Sequence, residues 1–373
     1  MCRDSRLLLF NCSHEMALAA NVNQYFPPKN IQQMEADLCL LPLWWAEDGD
    51  AVLVDDVAEA QAFVRERGAV LPDVVFTTGS EGYDALRRRE GRDFVPSPWG
   101  WNRTVAERFR RYGVASDCIP DVSELDGLRR LASREFVCGG SFASLYGSSS
   151  HVVSHVPEFA RSLDFPIPEN AGKLIFKSPW SSSGRGVFVA DVPLAESAMA
   201  RLKGFLNTQG GFLVDRFYDK IMDFALEFAL DAGGKACFCG FSVFETADGG
   251  RYGGNVLASQ ESLRKMIERS AGIPVSDLVD GVKNCLECSL GGRYSGIAGV
   301  DMLVVNDWGE VKIHPCIEVN LRMNMGVLAM KAFERLSSLG IDAQKETTLT
   351  PERKCGFVAE CIDGRLRVVF RRS

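Results

Sequence analysis

The sequence predicts a multidomain protein of α/β and α+β class, with a parallel α/β domain at the N-terminus followed by a two-part region of longer strands. Three observations carry this. Short β-rich apolar runs alternate with helix-like stretches up to Pro96 and Pro98. From Lys173 onward the strand-like runs come in succession. At 373 residues the chain has room for two or three cores.

In chain order, Leu7 to Phe10, Ala51 to Val54 and Asp73 to Thr77 read as strands, with a helix over Val57 to Arg67 between the second and third. Residues 1–98 form the expected first domain. Trp99 to Gly113 has amphipathic helical spacing and ends on a glycine. Residues 116–171 give no clear periodicity, so 99–172 is expected to be a helical linker with a lid or insert. Residues 173–235 hold "KLIFK", "GVFVA", a helix over Leu194 to Leu206, "GFLVDRF" and "DFALEFAL". Residues 236–373 hold strands at Ala236 to Phe244, Gly299 to Val305 and Val311 to Val319, and helices at Glu261 to Ser270 and Val327 to Leu339. Two final strands are joined by Asp363-Gly364, a favoured hairpin turn.

The composition is ordinary for a globular protein, 46% hydrophobic and 24% charged, with a net charge of -7. Without a basic stripe, that charge argues against nucleic acid or an anionic membrane as partner. The apolar runs Leu7 to Phe10 and Leu38 to Ala46 are too short for a signal-peptide core and a membrane span respectively, so a cytoplasmic protein is expected. Twelve scattered cysteines fit a reducing compartment, and Cys285 and Cys288 lack a second pair at zinc-finger spacing. Trp44 and Trp45 suit either a core or an interface, which leaves a homodimer open.

Two stretches carry chemistry. In "FKSPWSSSGRGVFVA" (176–190) a loop of small residues links two strand-like segments and follows Lys177. It matches neither GxxxxGK[ST] nor a GxGxxG opening a helix. Its backbone N–H groups and hydroxyls can follow phosphate oxygens, because glycine allows close approach. An ordinary solvated hairpin loop is the alternative. In "GVDMLVVNDWGEVKIHPCIEVNLRMNMG" (299–326), Asp301 opens one strand, and Glu318 and Asn320 share a face of the return strand. Two carboxylates and an amide oxygen are a donor set suited to Mg²⁺ bridging nucleotide phosphates. Arg322 is expected on that same face, within reach of a phosphoryl group or a substrate carboxylate.

A strand lysine, a small-residue flap, an acidic hinge strand, then Asp followed by Glu-x-Asn-x-Arg resembles the ATP-grasp superfamily over roughly Trp99 to Leu328. The resemblance implies a two-part ATP-grasp fold with ATP between its subdomains. It implies that Lys177 contacts the nucleotide phosphates and that Ser181, Ser182, Ser183, Gly184 and Gly186 form the flap. Asp215 stands where the family usually has Glu, Arg216, Phe217 and Tyr218 offer backbone hydrogen bonds to adenine, and Asp223 is the ribose contact. Asp301, Glu318 and Asn320 match the Mg²⁺ (or Mn²⁺) ligands, and Arg322 the arginine after them. No lysine lies between Trp99 and Gly172 where members carry one; Arg134 is a substitute. Arg251 and Arg293 are candidates for a further basic residue near the γ-phosphate.

The implied reaction is ATP-dependent ligation, in which a small-molecule or peptide carboxylate becomes an acyl phosphate that an amine or thiol attacks. Alternatives are a catalytically silent nucleotide-binding module acting through partners, and a small-molecule kinase of the same fold. Substrate contacts are expected from Asn11, Ser13, His14 and Glu15, just after the first strand, where open α/β sheets bind ligands. Ser13 also suits a helix N-cap. His151 and His155 would share a face on a helix, but without an obvious third ligand they do not make a zinc site.

Overall fold

The computed structural model describes residues 5–67, 71–168, 171–181, 184, 186–247, 251–338, 358–362 and 365–369. Its contacts divide the chain into two compact units, Met1–Gly127 with Arg322–Ser373, and Leu128–Leu321.

The first unit holds a four-stranded parallel sheet ordered β3-β2-β1-β4, from β1 (Arg6–Leu9), β2 (Ala51–Leu53), β3 (Val75–Thr77) and β4 (Val95–Pro98). Leu7, Leu8 and Leu9 are all buried, as expected of an inner strand covered on both faces. The strand β4 was hidden by its prolines, which read as a domain boundary. Val95 and Trp99 donate their N–H groups to Ser5 and Leu9, so the alternate positions, Pro96 and Pro98, face away from β1 on the sheet's edge. An edge strand has no outward ladder bond to lose there. Helices Val57–Arg67 and Gly79–Glu90 connect these strands. The helix Arg103–Arg111 is capped by Asn102, whose side chain accepts from Val105 N at 3.0 Å. Trp44 and Trp45 are core, Trp45 lying 5.7 Å from the Trp99 ring. Helix Met325–Ser338 and the antiparallel pair β14 (Val358–Ile362) and β15 (Arg365–Val369) complete this unit, with 363–364 outside the described residues.

The second unit has two sheets. One runs β13-β12-β9-β10-β11, antiparallel throughout, from β9 (Asp219–Leu230), β10 (Ala236–Ala247), β11 (Arg251–Leu257), β12 (Gly296–Asp307) and β13 (Glu310–Asn320). The other is ordered β5-β8-β6-β7, from β5 (Glu158–Ala160), β6 (Lys173–Lys177), β7 (Val187–Asp191) and β8 (Phe212–Arg216). Phe176, Phe188, Phe212, Leu174 and Leu202 form its core, with Phe176 stacked on Phe188 at 5.1 Å.

Residues 116–171, without periodicity in the sequence, contain helix Val122–Leu131 and short turns of helix at Arg134–Cys138 and Gly140–Ala143. His151 and His155 lie in turn and extended chain, so the expected helical pairing does not exist. Cys285 is buried and Cys288 exposed on helix Ser276–Leu290. Among the described residues, no helix is long and apolar enough to cross a membrane.

Candidate functional site

Lys177 ends β6, opposite Val187 of β7, so the small-residue loop does join two antiparallel strands. Gly186 closes the loop by accepting Ser178 N at 2.8 Å. A β-carbon on Gly186 would sit 2.1 Å from Ser178 Oγ and 2.8 Å from Ser181 Cβ, so any other residue there would force those side chains to shift. Gly184 has φ of +72°, a conformation glycine adopts at no steric cost. Ser182 and Ser183 lie outside the described residues. The loop's root is held from the side: Trp180 Nε1 donates to Arg129 O at 2.9 Å, the Arg129 guanidinium lies 3.7 Å from the Trp180 ring centroid, and Trp180 N donates to Gln209 Oε1.

Lys177 is 6% exposed, and burial pulls its ammonium below the usual lysine range. Asp215 opposes that shift, Arg134 adds to it and Glu318 opposes it, so all three lie within electrostatic reach of the ammonium. Arg134 joins the two segments, donating to Ser178 O at 2.7 Å and to Glu318 Oε2 at 2.9 Å, so the chain just after the loop lysine and the acidic strand meet within one unit.

On the acidic strand pair, Asp301 faces Glu318 across β12 and β13, and Asn320 lies opposite Gly299, which places the three side chains on one face. Asn320 Nδ2 donates to Asp301 Oδ2 at 3.0 Å. Glu318 Oε2 accepts from Arg134 Nη2 at 2.9 Å. Among the described residues, no group of three or more His, Cys, Asp or Glu is placed to hold a metal ion. Two carboxylates and an amide fit a hard divalent cation that completes its shell with water and phosphate oxygens. Such a cation would need the amide of Asn320 turned to present its oxygen, and Glu318 shared with or released by Arg134.

Arg134, 5% exposed, is the residue sequence reasoning weighed least. Its Nη1 donates to Ser178 O and Ser181 Oγ, both at 2.7 Å, and its Nη2 to Ser181 O at 3.2 Å and to Glu318. Its backbone N donates to Pro179 O at 3.0 Å. No periodicity marks the short turn that carries it, so its only sequence signal was a basic residue in a region without lysine.

Asp215 is committed elsewhere than its expected role at adenine. Its carboxylate, 2% exposed, lies 2.8 Å from His314 Nε2 and 3.6 Å from His155 Nε2, and accepts from Arg216 N at 2.8 Å. Tyr146 and Tyr218 set ring edges against His314. Burial lowers the His155 imidazole and pushes the Cys138 thiol up to about 12. Phe217 N donates to Lys173 O and Arg216 N to Asp215 Oδ1, so two backbone N–H groups of the segment expected to offer hydrogen bonds to adenine are bonded within the chain. Asp223 Oδ2 accepts from Lys220 Nζ at 2.6 Å and Thr246 Oγ1 at 2.8 Å. His314 was missed because four scattered histidines showed no pattern. It lies opposite Leu303, four residues before Glu318 on β13, so alternation puts it on the face of Glu318 and Asn320, but its residue type alone did not single it out.

Arg322 departs from its expected place. The strand β13 ends at Asn320, and the Arg322 guanidinium belongs to the first unit, where its Nε donates to Glu15 Oε1 and its Nη1 to Met323 O at 3.0 Å. Asn11, Ser13, His14 and Glu15 are all buried there. Asn11 exchanges two hydrogen bonds with the Gly100 backbone. Ser13 occupies an N-cap position, but its hydroxyl donates to Glu35 Oε1 at 2.7 Å instead of capping. The His14 ring lies against Gly100, where a β-carbon would come within 2.5 Å of Nδ1, and burial lowers its pKa to about 4. Burial raises the Glu15 carboxyl, but the charge and hydrogen bond of Arg322, the His14 charge and a backbone hydrogen bond together outweigh it, and the net shift is downward. Arg293 is exposed in the turn before β12 and donates to Ser289 O, and the side chain of Arg251 lies outside the described set.

No family model and no curated protein matches the chain. Among solved structures, it is similar to N5-carboxyaminoimidazole synthetase from Staphylococcus aureus complexed with ADP, at 11% identity and a TM-score of 0.45 over 99% of this chain and 94% of that one. It is similar to a biotin carboxylase–ATP complex from Campylobacter jejuni, at 11% identity and 0.45 over 97% and 73%. A protein from Archaeoglobus fulgidus described as of the ATP-grasp superfamily matches at 13% identity and 0.40 over 90% and 88%.

Proposed function

We propose that this chain is an ATP-grasp ligase that uses ATP and Mg²⁺ to convert a substrate carboxylate into an acyl phosphate, which an amine or thiol then attacks. The observation that carries the reading is the bridge, within one unit, that Arg134 makes between Ser178, next to Lys177 at the foot of a small-residue loop, and Glu318 on the strand pair that also bears Asp301 and Asn320.

Phosphoryl transfer asks for positioning and neutralisation of charge more than for a nucleophilic side chain. Lys177 provides a fixed cation, and Asp301, Glu318 and Asn320 would hold Mg²⁺. Bound there, the metal supplies neutralisation of phosphate charge. The loop over 181–186 approaches phosphate through its backbone and helps exclude water from an easily hydrolysed acyl phosphate. Because Asp215 is bonded to His314, adenine recognition on this reading falls to the backbone of 216–218 and ribose recognition to Asp223, with Asp215 acting as a fixed anion near Lys177.

Hydroxylamine trapping tests the chemistry: a hydroxamate should form from ATP, Mg²⁺ and an acceptor acid drawn from a panel of small carboxylates. Absence of hydroxamate together with ATP binding would favour the second reading, a nucleotide-binding module without turnover. That reading draws support from the pairing of Glu318, Asp215 and Asp223 within the chain.

A further inference from the structure

We infer that Arg134 is a positioning residue that occupies Glu318 in place of a divalent cation and so couples cation entry to the root of the loop after Lys177. This rests on the reading of Glu318 as a metal ligand.

A guanidinium has five N–H donors in a rigid plane. Four are engaged here: two on Nη1 with Ser178 O and Ser181 Oγ, and two on Nη2 with Ser181 O and Glu318 Oε2. The fifth, on Nε, is buried without a hydrogen-bond partner. Ser181 takes one donor from each terminal nitrogen. The edge that remains, Nε with one Nη2 proton, is the one directed at Glu318, and it is only half used. Three of the four hydrogen bonds go to the loop root, and the fourth goes to a carboxylate 184 residues away in sequence.

A planar fork cannot lose its contact at one end without altering the other. A cation that takes Glu318 removes the one anionic partner of Arg134 and places like charge beside it. The guanidinium must then shift, and Ser178 and Ser181 shift with it or lose their bonds. Linkage makes the effect reciprocal, because whatever factor the cation takes from the hold of Arg134 on the loop root, Arg134 takes from the affinity of the cation.

The test uses the full chain and Mn²⁺ alone as probe, titrated by electron paramagnetic resonance, with hydrogen exchange followed over residues 178–181. Arg134→Gln should bind Mn²⁺ about tenfold more tightly than the wild type. Its 178–181 segment should exchange fast with or without Mn²⁺, whereas wild-type exchange accelerates only when Mn²⁺ is added. Arg134→Lys retains the charge and guards against a misfolded glutamine variant. It should leave Mn²⁺ affinity near that of the wild type while uncoupling the exchange, since an ammonium cannot bridge Ser178, Ser181 and Glu318 at once. Glu318→Gln should weaken Mn²⁺ binding. Unchanged affinity in Arg134→Gln beside a weakened Glu318→Gln overturns the inference alone. Equal affinity in Glu318→Gln and wild type overturns the reading of Glu318 as a ligand, and the inference with it.

Discussion

His14 shows what a buried polar residue does to stability. Its pKa is lowered to about 4 by burial, so the folded chain resists protonation that the unfolded chain accepts near 6.5. Between those values the unfolded state binds more protons, and stability falls as pH falls. The full effect is on the order of 3 kcal/mol, and replacement of His14 by Gln should flatten the urea-unfolding profile between pH 6.5 and 4. Below that window the lowered carboxyl of Glu15 adds to the loss as it takes up a proton. Gly186 gives a second prediction at this scale. Gly186→Ala places a methyl against Ser178 Oγ and should cost about 1–3 kcal/mol in chemical denaturation, part of which Ser178→Ala restores in the double variant. In the sequence, Gly186 looked no different from Gly184, because only the folded path reveals which glycine meets a neighbour. Glu318 and Asn320 were legible as sharing a face because strand alternation puts them there, and the antiparallel register that sets Asp301 opposite Glu318 brings the third side chain to the same face. Asp215 drew attention only through the resemblance, and neither its burial nor its partner His314 was legible, since nothing in strand alternation says that two residues 99 apart in sequence will pair.

At the scale of elements, apolar periodicity located most of the long strands, and failed where another force sets the structure. Pro96 and Pro98 concealed an edge strand that the sheet tolerates because its outer N–H positions carry no partner. The strand Arg251–Leu257 was obscured by the glycines of "GGRYGGN". Helix Ser276–Leu290 attracted attention only through its cysteines. The cap on helix Arg103–Arg111 offers a direct check. Asn102→Ala removes the acceptor for Val105 N and should cost about 1 kcal/mol in urea unfolding, and more to the extent that the Asn102 contact with His14 Nδ1 also matters. The loop 181–186 is anchored at Trp180, whose ring and N–H are both held by Arg129. Trp180→Ala should therefore lower the unfolding midpoint, by about 3–5 kcal/mol of stability if the site does not collapse.

For the whole molecule, the class was legible: a parallel sheet in one unit, and two antiparallel sheets in the other. The assignment of residues to units was less so. Arg322 lies two residues past β13 yet pairs with Glu15, because contacts and not sequence proximity decide membership of a unit. Cysteine chemistry reads out the intact fold. Iodoacetamide at pH 8 should modify the exposed Cys237, Cys239 and Cys288, and spare Cys138 and Cys316, whose thiols burial pushes upward, until denaturant is added. The most direct test of the central claim is release of ADP from ATP by Glu318→Gln and wild-type protein, with Mg²⁺ and a panel of carboxylate and amine substrates. The account predicts Mg²⁺-dependent turnover in the wild type and a loss of about a hundredfold or more in the folded variant. Equal turnover in the two proteins, or turnover in the wild type that persists without a divalent cation, would contradict it.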